Sequence, residues 1–295
     1  MEGTRESRLE DIVNWVAKKS EENDLCHDNT YWIYGLPGIG KTSLAHSICA
    51  SLHDQRQLAG AFFCQRDDPN LSEPTNILPT FIYKLAENFP PFRKIVANYL
   101  RSDPNLTPES MKDSLFRELL DSLPYGPNNS LVFVIDAFDE CGDNRRRPAL
   151  LRLLTGVVAS VSWLKIIITS RPEADIQRIF DGLIQSSYLK YDLAKDQDAS
   201  HDLRTFAQRE FSLVAQEWDF SPPWPEESLL DRLIYRANGL FIFIKTLALA
   251  LERYADPTGF LEAASCKDPI LFNLVSYSDV RVQSNPFILK ETSVY

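Results

Sequence analysis

The sequence predicts an α/β fold, a parallel sheet covered by helices, followed by a small all-helical lid domain. Three observations carry this. Short apolar runs alternate with helical patterns from residue 31 to 193, the rhythm of strand–helix–strand units. The run Leu131–Ile135 is apolar at every position, as in a strand buried on both faces of a parallel sheet. After about residue 196 the pattern becomes wholly helical.

The elements follow in order. Residues 7–20 read as a leading helix, with Leu9, Ile12, Val13 and Val16 on one face and Ser7 with Glu10 as a capping box. A polar loop from Glu21 to Asn29 leads to a first strand, Tyr31 to Tyr34. A helix with Leu44, Ile48 and Leu52 on one side comes next, then a second strand over Ala61–Cys64. Two helices fill 75–100, split at Pro90-Pro91. Thr107 and Pro108 fit the N-cap and first position of another helix, whose inner face carries Met111, Leu115 and Leu119. Tyr125–Asn129 is a turn cluster, and Leu131–Asp136 is the buried strand. A helix over Pro148–Ser160 precedes the strand Trp163–Thr169. Ser170 and Glu173 read as a second capping box, and Tyr188–Leu193 as the last strand.

Beyond that, Leu203, Phe206, Ala207, Phe211 and Val214 form one amphipathic stripe. Leu229, Leu230, Leu233, Ile234 and Ala237 form another, with Gly239 as its C-cap. A mostly apolar helix occupies 240–253. The expected division is a lead-in over 1–30, an α/β domain over 31–195, a helical lid over 196–254 and a poorly ordered tail over 255–295.

Between the first strand and its helix stand Gly35-Leu36-Pro37-Gly38-Ile39-Gly40-Lys41-Thr42, followed by Ser43. This matches G-x-x-x-x-G-K-[ST] in the strand–loop–helix context that the P-loop requires. Glycines let the backbone curl around phosphate oxygens, and the helix N-terminus adds unpaired amides and its dipole. Lys41 is placed to meet the β- and γ-phosphates as a mobile charge. Thr42 is placed to ligate Mg²⁺.

Two further segments belong with it. In LVFVIDAFDE, Asp136 ends a strand, where ligands bind in open α/β sheets. It is the second candidate for Mg²⁺, and Asp139 and Glu140 are candidates for handling the attacking water. In IIITSRPE, Arg171 sits at a strand end, from which a guanidinium reaches phosphate oxygens. Arg145-Arg146-Arg147 reads as a solvated helix start in preference to an arginine finger.

Composition narrows the partners. A net charge of −10 argues against nucleic acid or an anionic membrane, both of which demand basic patches. Five scattered cysteines without C-x-x-C fit a reduced, cytoplasmic setting. The N-terminus is charged and is not a signal peptide, and the run Leu240–Leu251 falls short of the ~20 apolar residues of a membrane span. An N-K-x-D segment for reading guanine is lacking, which favours ATP/ADP.

Taken together, YGLPGIGKTS, LVFVIDAFDEC, IIITSRPE and RANGLFIFIKTLAL resemble a NACHT-type P-loop NTPase of the STAND class, specifically the fungal proteins with a nephrocystin-like N-terminal domain. The opening GTRESRLEDIVNWV resembles the segment leading into their P-loop, so the likeness spans about residues 3–254. It implies an ATP-dependent signalling switch related to nonself-recognition and incompatibility proteins. It assigns Lys41, Thr42, Asp136, Asp139, Glu140 and Arg171 to nucleotide and Mg²⁺, and puts the Arg171 strand between the P-loop strand and the Asp136 strand. The expected partners are nucleotide, further copies of the chain in the ATP state, and signalling proteins. The chain departs from the family at 255–295, where neither a winged-helix nor a repeat pattern is visible. A small-molecule kinase and a non-catalytic remnant are the alternatives. Acceptor-dependent turnover would mark the kinase, and binding without turnover the remnant.

Overall fold

The computed structural model describes residues 5–18, 28–102, 113–122, 129–183, 188–196, 198–251 and 254–266. The expected helix start at Thr107–Pro108 with Met111, most of the Glu21–Asn29 loop and turn residues 125–128 lie outside them. The chain divides into two compact units, Met1–Ala199 and Ser200–Tyr295.

The first unit is built on five parallel strands: β1 (Thr30–Tyr34), β2 (Leu58–Phe63), β3 (Leu131–Asp136), β4 (Leu164–Ser170) and β5 (Tyr188–Asp192), in the order β2-β3-β4-β1-β5. β4 lies between β1 and β3, the order that the resemblance implies. β3 and β4 are buried along their whole length, which explains the apolar runs Leu131–Ile135 and Ile166–Ile168 within them. The two-residue period is still there, read now from packing. Trp32, Phe133, Ile135, Ile166 and Ile168 enter one core, while Tyr31, Ile33, Val132, Val134 and Ile167 enter the other. Each such side chain contributes about 1.5–3 kcal/mol by leaving water.

Helices cover both faces. α1 (Glu6–Ala17) and α2 (Lys41–Asp54) share the core of Ile33 and Val134, to which they bring Ile12, Trp15, Val16, Leu44, Ile48 and Leu52. The opposite core takes side chains from α3 (Ile77–Asn88), α4 (Pro90–Ser102), α5 (Asp113–Asp121), α6 (Arg146–Ala159) and α7 (Ala174–Asp181). There Phe81 stacks on Phe133 at 3.9 Å, and Trp32 on Phe180 at 4.3 Å.

Neither expected capping box forms. Arg5 is the N-cap residue of α1 and Glu173 that of α7, both without a side-chain cap bond. Ser7 donates instead to Asp198 at 2.7 Å. Ser170 closes β4, where its hydroxyl accepts from Trp32 Nε1 at 2.9 Å. In both places a tertiary partner wins over the local cap. The far end of α1 is capped from within the sheet. Lys165, fully buried in β4, donates from Nζ to the carbonyls of Trp15 at 2.7 Å and Lys18 at 2.8 Å, using carbonyls that a helix C-terminus leaves unpaired.

The second unit holds α8 (Ala199–Glu217), α9 (Glu227–Ala237), α10 (Phe241–Leu251) and α11 (Pro257–Ser265). Arg204 bridges Glu227 and Asp231, and Lys245 pairs with Glu210 at 2.8 Å. The left-handed cap of α9 is Asn238, one residue earlier than expected, with Gly239 following at a φ of 82°. The aperiodic tail expected from residue 255 is corrected over 257–265. There Asp256 accepts from the Gly259 amide, Pro257 occupies the first turn, and Phe260, Leu261 and Ala264 are buried. Residues 267–295 lie outside the described residues.

Candidate functional site

Because the strands are parallel, all their C-terminal ends reach one edge. Tyr34 pairs in register with Ser170, Ile135 with Ile168, and Phe63 with Asp136. The loops that follow therefore converge: the glycine loop after β1, the acidic turn after β3 and Arg171 after β4. This is the sheet edge at which open α/β folds bind ligands.

In the glycine loop, Gly38 has a φ of 76° and Gly40 a φ of 96°. Residues with a Cβ are strained in that region. The curl brings Lys41, the first residue of α2, back over the loop it closes. Its Nζ donates to the carbonyls of Gly35 at 2.8 Å and Leu36 at 2.9 Å. Burial pulls the ammonium down from its ordinary value, and Asp139 is the foremost charge opposing that shift, ahead of Asp136 and Glu140.

Asp136 is 2% exposed. Burial pushes its carboxyl up, while hydrogen bonds from Thr169 and Thr42 and the charge of Lys41 hold it down. The Thr169 hydroxyl donates to Oδ1 at 2.5 Å and itself accepts from the Ala137 amide at 3.0 Å. A buried carboxylate beside a threonine hydroxyl is a hard-oxygen donor set suited to Mg²⁺, whose charge would offset the burial. Thr42 and Asp136 thus fit the ion. His46 of α2 stacks on Phe63 at 4.3 Å, and burial lowers its imidazole while Asp136 opposes that shift.

After Asp136 the chain turns sharply, with Ala137 left-handed at a φ of 52° and a single 3₁₀ turn over Phe138–Glu140. This turn separates the two acidic residues in role. The Asp139 carboxylate is nearly buried and engaged by Arg171, accepting from its amide at 2.8 Å and pairing with its Nε at 3.2 Å. Glu140 is the more open, with 3.8 Å from Oε1 to Arg171 Nη2 and 3.2 Å from Oε2 to the Arg66 amide. Cys64 and Cys141 flank the turn, and their mutual hydrogen bond together with burial pushes the Cys64 thiol up.

The structure brings Gly35–Ser43, Asp136, Asp139, Glu140 and Arg171 to one sheet edge. Sequence reasoning passed over Thr169, whose position beside Ser170-Arg171 was the available signal. It also misassigned Arg147. Arg145 and Arg146 are exposed, but Arg147 is buried and bonded to Asp139 and Asp175. Its position on the inward side of α6 was masked by its two exposed neighbours.

Among solved structures, the Walker-type ATPase PABY2304 of Pyrococcus abyssi aligns with a TM-score of 0.52 at 16% identity, over 98% of this chain and 76% of that one. The Aeropyrum pernix ORC1 protein in complex with DNA aligns at 0.48 and 13% identity, over 88% and 64%. Drosophila ORC bound to DNA aligns at 0.48 and 16% identity, over 100% and 68%. No curated protein matches the sequence. Among the described residues, no helix is long and apolar enough to cross a membrane. The five-stranded parallel sheet with its covering helices is the P-loop NTPase fold. The family pattern described as Nephrocystin 3, N-terminal matches residues 8–171, more than half of the chain. The chain therefore belongs to the Nephrocystin 3, N-terminal family.

Proposed function

We propose that this chain binds ATP and hydrolyses it slowly with Mg²⁺, as the NACHT-type module of a cytoplasmic signalling switch of the STAND class. The observation that carries the reading is the meeting of a complete P-loop with Asp136, Asp139, Glu140 and Arg171 at the C-terminal edge of one parallel sheet. The fungal nonself-recognition setting, self-association in the ATP state and the lid role of residues 196–254 rest on the motif set quoted from the sequence.

The chemistry follows from the side chains. The amides of Gly38–Ser43 and the N-terminus of α2 hold the phosphate chain. Lys41 exchanges its contacts with the Gly35 and Leu36 carbonyls for the β- and γ-phosphates. Thr42 and Asp136 would hold Mg²⁺, which supplies positive charge to the β- and γ-phosphates when bound. Thr169 fixes the Asp136 carboxylate in orientation. Glu140, the less committed of the acidic pair, orients the attacking water and draws its proton. Arg171 leaves its partners Asp139 and Glu140 to meet the γ-phosphate as negative charge moves onto it.

The test is Mg²⁺-dependent release of phosphate from ATP by the purified chain, with and without acceptor substrates. Slow turnover that needs no acceptor and is lost in Glu140→Gln is expected. Acceptor-dependent turnover, or none at all with nucleotide bound, would replace this reading by the kinase or the non-catalytic alternative.

A further inference from the structure

Arg147 is 8% exposed, at the start of a helix where its two predecessors face solvent. A guanidinium keeps its charge under all conditions, so its burial demands partners for its donors. Nε donates to Asp175 Oδ2 at 2.8 Å, and Nη1 donates to the backbone carbonyl of Asp139. Asp175 lies in the first turn of α7, four residues after Arg171. The Asp139 carboxylate in turn accepts from the Arg171 amide and pairs with its side chain. The contacts close a ring: Arg147 to Asp139, Asp139 to Arg171, along the chain to Asp175, and back to Arg147.

The ring encloses a turn that keeps short backbone bonds of its own, Glu140 N–H to the Ala137 carbonyl at 2.8 Å and Cys141 N–H to the Phe138 carbonyl at 3.1 Å. Ala137 holds a left-handed conformation, which is disfavoured for a residue with a Cβ, and no side chain caps the 3₁₀ turn after it. Arg147 ties the Asp139 carbonyl of this turn to Asp175 of α7, beside the turn's bonds to Thr169 and to the Arg171 amide.

We infer that Arg147 is a positioning residue for γ-phosphate recognition. Acting through Asp139 and Asp175, it sets where Asp139 and Arg171 stand relative to the P-loop. The inference rests on the ATP reading above and extends it to a residue outside the three motifs.

The test compares Mg-ATP and Mg-ADP affinities by calorimetry for the whole chain and for Arg147→Gln, Asp175→Asn and the double variant, with melting temperatures alongside. In Arg147→Gln the affinity for ATP is expected to fall roughly five- to tenfold while that for ADP stays within about twofold. The double variant should match Arg147→Gln without further loss, because Asp175 acts through Arg147. A lowered melting temperature with an unchanged ATP-to-ADP ratio would make Arg147 merely structural and overturn the inference. If Arg147→Gln does not fold, Arg147→Lys and Asp175→Asn are read the same way, and an unchanged ratio in both overturns it. Wild-type chain that binds neither nucleotide would defeat the ATP reading itself. Wild-type binding with unaltered ratios in the variants would defeat this inference alone.

Discussion

Replacing Lys41 by alanine removes the one side chain of the glycine loop that carries positive charge. Two hydrogen bonds from an ammonium to phosphate oxygens contribute about 1.5–3 kcal/mol each, so about 3–6 kcal/mol together. To form them, Lys41 gives up its bonds to the Gly35 and Leu36 carbonyls. Those neutral acceptors account for about 1 kcal/mol each, so about 2 kcal/mol of the gain is offset. The net loss in Lys41→Ala is about 1–4 kcal/mol, which weakens nucleotide binding by roughly fivefold to several hundredfold. Calorimetric titration with Mg-ATP and Mg-ADP reads this directly, and the melting temperature without nucleotide reports whether the loop itself has changed. Both nucleotides should be affected, because both carry a β-phosphate. Unchanged affinity in a folded variant would refute the assignment of this loop to phosphate.

Other residues carry equally specific expectations. Glu140→Gln should abolish most turnover while preserving ATP binding, whereas Asp139→Asn should also loosen Arg171, which it holds through amide and side chain; wild-type turnover in both would remove the acidic turn from the chemistry. Arg171→Ala should weaken ATP more than ADP by calorimetry, and equal losses would mark a purely structural arginine. Leu261→Ala, at a fully buried position of α11, should destabilise the second unit by about 2–5 kcal/mol in chemical denaturation, and a change below about 1 kcal/mol would mean that α11 is not part of its core. Lys165 gives a pH signature. Burial lowers its pKa to about 8, against about 10.4 in an unfolded chain. Between those values the unfolded state binds the extra proton, so this group makes stability rise with pH. Asp28 opposes that shift and Lys18 adds to it. The stability of wild type relative to Lys165→Met should therefore grow from pH 8 to pH 10, and a shrinking difference would contradict the burial argument.

The sheet and the gathering of the three motifs at one of its edges were legible in the sequence because their signals are local and redundant. β3 and β4 are buried on both faces, so they carry the apolar runs Leu131–Ile135 and Ile166–Ile168. Lys41, Asp136 and Arg171 each stand where a strand or loop ends, in short motifs whose spacing is visible. What was not legible depended on partners far away in the chain. Ser7 and Ser170 look like helix caps, but Asp198 and Trp32 take their hydroxyls. Arg147 looks solvated until Asp139 and Asp175 are seen to fold around it. The helix at Pro257 was missed because its apolar positions, Phe260, Leu261 and Ala264, span barely one turn. Asp256-Pro257 was the signal that could have found it, an acidic N-cap with proline at the first helical position.

Nucleotide held at the C-terminal edge of this sheet, between the P-loop and the acidic turn, has a signature in backbone amide exchange. Hydrogen–deuterium exchange of the whole chain with and without Mg-ADP reads that position. Slower exchange is expected in peptides covering Gly35–Ser43 and Asp136–Glu140, with little change in Tyr188–Asp192. Nucleotide that binds while leaving the first two segments unprotected would contradict it.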